Sequence, residues 1–219
     1  MRIRVLVVDD HPLVREGLAL ALAGDPDIVV VGEAADGDEA LRRIREVSPD
    51  VVLLDLHMPG SGGMIVLEHL QSEGLSTRAL VITASESAEA LLEAIGAGAA
   101  GYLTKRSGCE EVRQAVITVH GGGSVITPSL AGHLLREFSQ RARGGESLVH
   151  PLLSAREQEV LRLIARGWTD REIGDHLYVS ERTVQSTLAR IRRMIGGKQT
   201  EKSSQILPAA AAGRHRQIR

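Results

Sequence analysis

Five residues of this chain stand where apolar runs stop. Asp9 and Asp10 follow RVLVV (4–8), and Asp55 follows DVVLL (50–54). Thr83 ends ALVIT (79–83), and Lys105 follows AGYLT (100–104). Brought together, three carboxylates, a hydroxyl and an ammonium would form a phosphoryl-transfer site. Two carboxylates ~4 Å apart repel by about 4 kcal/mol at an effective dielectric near 20, so three of them call for a cation. Oxygen ligands suit Mg²⁺, which keeps several waters and commonly meets a phosphate. The roles then divide naturally. Asp9 and Asp10 hold the metal, Asp55 is the nucleophile, and Thr83 and Lys105 bind the phosphoryl oxygens. Taken singly, an aspartate after a strand is usually a cap, such a lysine is usually solvated, and such a threonine is a β-former. The specificity lies in the set.

A set of this kind needs a particular scaffold. The five apolar runs, with IVVVG (28–32) as the second, are β-branched and short. Between them, apolar residues recur at helical spacing: Leu13, Val14, Leu18, Ala21 and Leu22, then Ala40, Leu41, Ile44 and Val47, and later Val112, Ala115, Val116 and Val119. Alternating strands and helices predict an α/β fold with a parallel sheet covered on both faces. In a flavodoxin-like five-stranded order, 2-1-3-4-5, strands one and three are neighbours. Ligands bind at the carboxyl ends of the strands, near the point where the order reverses. All five residues fall at that end.

The second half has a different character. Residues 1–147 carry thirteen Lys/Arg against twenty-one Asp/Glu, and the remainder carries thirteen against seven. An acidic front and a basic back point to two jobs, the back facing a polyanion. TPSLAGHLLREFSQ predicts an extra helix with Pro128 in its first turn, and RARGGESLVHP (141–151) reads as a linker. Beyond it, Ser154 and Glu157 form a capping box. Gly167 can end that helix, Thr169 or Asp170 can cap a second, and Ser180 a third. This is a helix-turn-helix pattern in a small all-α domain.

In the third helix, Val184, Leu188, Ile191 and Ile195 share one face. The opposite surface carries Arg182, Thr183, Gln185, Ser186, Ala189, Arg190 and Arg193. Those side chains offer cations for phosphates and hydrogen-bonding groups for base edges in the major groove.

Composition narrows the classes. Of 219 residues, 43% are hydrophobic and 25% charged, as in a folded soluble domain. No apolar run approaches the eighteen residues of a membrane span. The N-terminus MRIRVLVVDD has acids where a signal peptide needs small residues, and Cys109 alone cannot form an internal disulfide. A cytoplasmic chain without a membrane partner is expected.

The segments VLVVDDHPLVREGL, VVLLDLHMPGSGG, VITAS and GAGAAGYLTK together resemble the receiver domain of two-component response regulators of the NarL/FixJ type. The resemblance implies that a histidine kinase passes a phosphoryl group to Asp55. It also implies that the backbone carbonyl of His57 joins Asp9, Asp10 and Asp55 around Mg²⁺, and that Thr83 and Tyr102 form the switch. Arg106 stands where receivers usually have proline. LSAREQEVLRLIARG and REIGDHLYVSERTV are similar to the LuxR-type DNA-binding domain. There the family's T-V-K, with histidine two residues later, becomes TVQST, placing Gln185 and Thr187 at those positions.

The expected organisation is a receiver at 1–122, an extra helix and linker at 123–150, a helix-turn-helix domain at 151–207, and a disordered tail at 208–219 beginning where Pro208 breaks the last helix. The expected function is a phosphorylation-switched transcription regulator that binds promoter DNA, as a homodimer when phosphorylated. The alternatives are a receiver not switched by phosphorylation and an aspartyl-phosphate hydrolase.

Overall fold

The computed structural model describes residues 2–60, 62–84, 87–143 and 153–196. Its first half alternates strictly: β1 (Ile3–Val8), α1 (Pro12–Ala23), β2 (Ile28–Ala34), α2 (Gly37–Val47), β3 (Val51–Leu54), α3 (Met64–Ser72), β4 (Arg78–Thr83), α4 (Ala88–Gly96), β5 (Gly101–Thr104) and α5 (Cys109–His120). The apolar runs form strands because both faces of each find cover. All four residues of β3 are buried. Along the sheet, side chains alternate between two apolar layers. Val5, Val7, Leu53 and Leu80 pack with Leu18, Leu22, Val112 and Val116 of α1 and α5. Leu6, Val8, Val52, Leu54 and Val81 pack on the side of α2, α3 and α4.

Every pairing is parallel, in the order β2-β1-β3-β4-β5-β6. The first five strands stand in the predicted order. The sixth, β6 (Val125–Ile126), pairs with β5 and was not expected. Two residues carry no readable periodicity, and the glycines before them look like a turn.

After β6 comes α6 (Pro128–Arg143), with Pro128 at its start as predicted. The helix runs through residues 141–143, the beginning of the stretch read as a linker. The rest of that linker, the break at Pro208 and the 208–219 tail lie outside the described residues. Three helices follow: α7 (Ala155–Ala165), α8 (Asp170–Leu177) and α9 (Glu181–Gly196). Ser154–Glu157 and Thr169–Glu172 both form complete capping boxes. Of the two residues considered for the second cap, Thr169 is the one used. Gly167 takes the left-handed conformation (φ 87°) that closes α7, and Ser180 Oγ accepts from the Thr183 N–H at the start of α9.

The two halves share one apolar layer. The cluster on the α2–α4 side of the sheet continues through Leu91 and Ile95 of α4 and Leu130 and Leu134 of α6. From there it reaches Leu161 and Ile164 of α7 and Val184, Leu188 and Ile191 of α9. α6 packs on α7, and α9 packs on α4.

Candidate phosphoryl site and nucleic-acid interface

The five residues converge. Asp9 leaves β1 fully buried, Asp55 leaves β3 at 2% exposure, and Thr83 ends β4 fully buried. Parallel pairing fixes them: the Asp55 N–H bonds the Val8 carbonyl, and the Lys105 N–H bonds the Thr83 carbonyl. Lys105 Nζ lies 2.6 Å from Asp9 Oδ2 and 2.7 Å from Asp55 Oδ2, so one ammonium bridges the two buried carboxylates. Partial burial works against the lysine's charge, but its bonds to Asp55 and then Asp9 outweigh it and hold the pKa above the usual lysine value. Three carboxylates against one ammonium still leave the cleft short of positive charge.

The unmet demand is visible in single atoms. Asp9 Oδ2 and Asp10 Oδ1 are buried without a well-formed hydrogen bond. Their close polar neighbours among the described residues are Lys105 Nζ, at Asp9, and His11 Nδ1, 2.7 Å from Asp10. Asp9, Asp10 and His11 present ligand atoms within 4.8 Å of one another. The donor set therefore fits a small divalent cation bound through oxygen.

His11 follows the acid pair directly. Its N–H bonds Asp9 Oδ1 at 2.9 Å, and its ring also faces both acids. The adjacency of DDH was the signal for this. Arg15 was missed altogether; its guanidinium donates to the Asp9 carbonyl at 2.6 Å and holds the loop that carries the acids.

Three further groups line the site. The His57 N–H donates to Asp55 Oδ1 at 3.1 Å, and its Nδ1 lies 3.2 Å from Thr83 Oγ1. The imidazole thus touches the hydroxyl assigned to the phosphoryl group. Tyr102 is 1% exposed and points inward. Burial, followed by the charge of Asp55, pushes its phenol up to about 12, partly offset by the Thr83 hydroxyl.

In the helical half, Val184, Leu188 and Ile191 of α9 are buried as the wheel predicts; the Ile195 side chain lies outside the described set. Arg182, Thr183, Ser186 and Arg193 face solvent, and Ala189 is half-buried. The other two predicted DNA contacts are engaged elsewhere. Arg190 Nε donates to Glu157 Oε1 at 2.8 Å. Gln185 bonds the Asp170 side chain, and its Oε1 would lie 3.3 Å from a Cβ placed on Gly123, in the turn before β6. Arg192, also on α9, donates to the Ala99 carbonyl beyond α4 at 3.2 Å.

The Glu157–Arg190 pair carries a pH prediction. Burial of Glu157 opposes its charge, but bonds from Ser154 and the nearby Arg190 prevail and hold its pKa below the ordinary glutamate value. A depressed acid contributes stability that is present above its unfolded pKa and lost as pH falls through the folded one. Glu157→Gln should therefore cost about 2 kcal/mol at neutral pH, and the gap to the parent should shrink in acid. Trp168, the only tryptophan of the sequence, sits in the turn between α7 and α8 and can report this by fluorescence in urea titrations at several pH values. Equal midpoints at neutral pH would refute the assignment.

Both halves of the chain are similar to known proteins. The model of the response regulator receiver domain matches residues 5–117, and that of bacterial regulatory proteins of the luxR family matches residues 151–213. The probable transcriptional regulatory protein NarL of Mycobacterium tuberculosis H37Rv is 43% identical over 195 residues, covering 89% of this chain and 88% of its own. The transcriptional regulatory protein LiaR of Bacillus subtilis 168 is 39% identical over 189 residues, covering 86% and 89%. Among solved structures, the response regulator ChrA of a heme-sensing two-component system aligns with a TM-score of 0.54 at 31% identity, over 92% of this chain and 98% of that one. The chain belongs to the two-component response regulators of the NarL/FixJ type, in which a receiver domain is joined to a LuxR-type helix-turn-helix domain that controls transcription.

Proposed function

We propose that Asp55 is the phosphoacceptor of this regulator, and that a histidine kinase is the donor. The observation that carries this reading is the bridge from Lys105 to Asp9 and Asp55, at 2.6 and 2.7 Å, beside the buried Thr83 hydroxyl. An Asp55 carboxylate oxygen forms the new bond to phosphorus as the bond to the donor breaks. Lys105 and Thr83 receive the phosphoryl oxygens. Asp9, Asp10 and Asp55, with the His57 carbonyl, would hold Mg²⁺, which when bound neutralises charge on the transferring group. No substrate turnover is assigned to the chain, and its setting is cytoplasmic; no helix among the described residues is long and apolar enough to cross a membrane.

Residues 1–122 are taken as the receiver, 123–150 as connector and 151–207 as the DNA-binding domain. Arg182, Thr183, Gln185, Ser186, Ala189, Arg190 and Arg193 are the proposed promoter contacts, used by a phosphorylated homodimer. Binding requires rearrangement, because Gln185 faces Gly123 and α9 packs on α4. A protein whose competent state is a fraction f of the population binds with affinity reduced by f. The phosphoryl group carries about −1.5 to −2 charges where the Asp55 carboxylate carried one, so the site beside Thr83 gains roughly one negative charge and a bulky set of oxygens, enough to bias that balance.

Phosphodonor with Mg²⁺ should therefore tighten DNA binding, read by fluorescence anisotropy on selected sites at two salt concentrations. Affinity should fall steeply with salt in both states, through release of counterions from the DNA. Unchanged affinity after verified phosphorylation would overturn the switch, and absence of any salt dependence would overturn the α9 contacts.

A further inference from the structure

At the end of the sheet opposite Asp55 lies a second concave site. A cavity of about 390 Å³ opens between the α3–β4 loop, the C-terminal end of α4 and α9. Its apolar wall includes Leu67 and Leu70, and its polar side chains include Gln71, Thr77, Arg78 and Arg192. The two arginines come from different halves of the protein. Arg78 begins β4, and its guanidinium reaches toward the Gly122 turn, where a Cβ on that glycine would lie 3.5 Å from Nη1. Arg192 enters from α9 and spends one N–H on the Ala99 carbonyl.

Two guanidinium groups in one half-enclosed space are costly unless something negative joins them. Among the described residues, neither Arg78 nor Arg192 pairs with a carboxylate. Burial, and then the charges of Arg78 and Arg193, push Arg192 below its usual pKa. The carbonyl end of α4 offers partial negative charge to one guanidinium, not to two. A ligand with several acceptor oxygens would serve both, because planar guanidinium forks bind such groups best.

We propose that this cavity binds a small multivalent oxyanion of the phosphate class between Arg78 and Arg192, and that the bound anion fastens α9 to the receiver. The role is distinct from phosphorylation: the anion binds reversibly, at the far end of the sheet, and favours the form in which α9 is covered. Arg192 sits on the helix proposed to meet DNA, so an anion that holds this helix on the receiver opposes DNA binding.

The test uses the full chain without Mg²⁺. Calorimetric titration with inorganic pyrophosphate, against sodium chloride at equal ionic strength, should give saturable binding. Arg78→Gln and Arg192→Gln should each weaken it about tenfold, the worth of one charge-assisted contact. ADP in a parallel arm separates the sources: tighter binding than pyrophosphate identifies a nucleotide, and equal or weaker binding identifies free inorganic phosphates. Heat no larger than that of chloride, or parental affinity in both folded variants, would overturn the site. Pyrophosphate should also weaken DNA binding by the parent more than by Arg78→Gln at fixed ionic strength. Equal weakening would remove the fastening role, while calorimetry decides the site whether or not the chain binds DNA.

Discussion

Asp55→Asn is expected to abolish covalent labelling. Incubated with Mg²⁺ and a small phosphodonor such as acetyl phosphate, the parent should gain the mass of one phosphoryl group, and the variant should gain none. The amide is nearly isosteric with the carboxylate, so the fold should survive. Lys105 keeps its contact with Asp9, and the His57 N–H keeps an oxygen acceptor at position 55. What disappears is the anionic oxygen that must bond to phosphorus. Asp9 and Asp10 are no substitutes: Asp9 is fully buried and already held by Lys105 and the His11 N–H, while Asp10 pairs with His11. Loss should thus be complete rather than partial. Labelling of the asparagine variant at the parental rate, detected by intact-protein mass spectrometry, would refute the nucleophile assignment.

The second large effect comes from a residue with no functional group. Gly63 caps α3 with ordinary backbone angles (φ −81°, ψ −20°), so its requirement is not conformational. A Cβ there would collide with the Asp55 carbonyl oxygen and lie 2.8 Å from Leu56 Cα. Both are main-chain atoms that cannot swing aside, and the Gly63 N–H is tied to the Leu56 carbonyl at 3.1 Å. Gly63→Ala must push apart the chain that carries Asp55, the proposed phosphoacceptor. The expected cost is about 3 kcal/mol, with labelling of Asp55 reduced or lost.

Gly17→Ala provides the contrast. Gly17 lies mid-helix in α1 with nothing within 4 Å of the new methyl group, and alanine should stabilise by about 0.5–1 kcal/mol. Urea unfolding followed by circular dichroism should move in opposite directions for the two variants. A neutral Gly63→Ala would mean that the close approach at Asp55 is absent.

These residues show why parts of the molecule were legible in advance and others were not. The convergence of the five residues was readable because each sits at the end of a buried strand, and parallel pairing brings strand ends together whatever the loops do. The helix-turn-helix was readable because its caps are local: Ser154 with Glu157 and Thr169 with Glu172 are three residues apart. β6 escaped because two residues show no period. The role of Gly63 escaped because a close approach of backbone to backbone leaves no mark on composition.

Arg190 and Gln185 fall on the outer face of α9 by wheel geometry, which is correct as far as it goes. A wheel places a residue on its own helix; it does not say that Glu157, thirty-three residues earlier, will stand opposite. The packing of α9 on α4 is likewise a match between two apolar surfaces far apart in the chain.

That shared apolar layer has a thermal consequence. Parting α9 from α4 hydrates oily side chains, and the penalty for doing so shrinks on cooling because apolar hydration carries a large heat capacity. Cold therefore loosens the junction even as hydrogen bonds and ion pairs elsewhere stay intact. Under the proposed switch, warming should therefore strengthen the closure of α9 on the receiver, and a signal received at low temperature should have less of it to overcome.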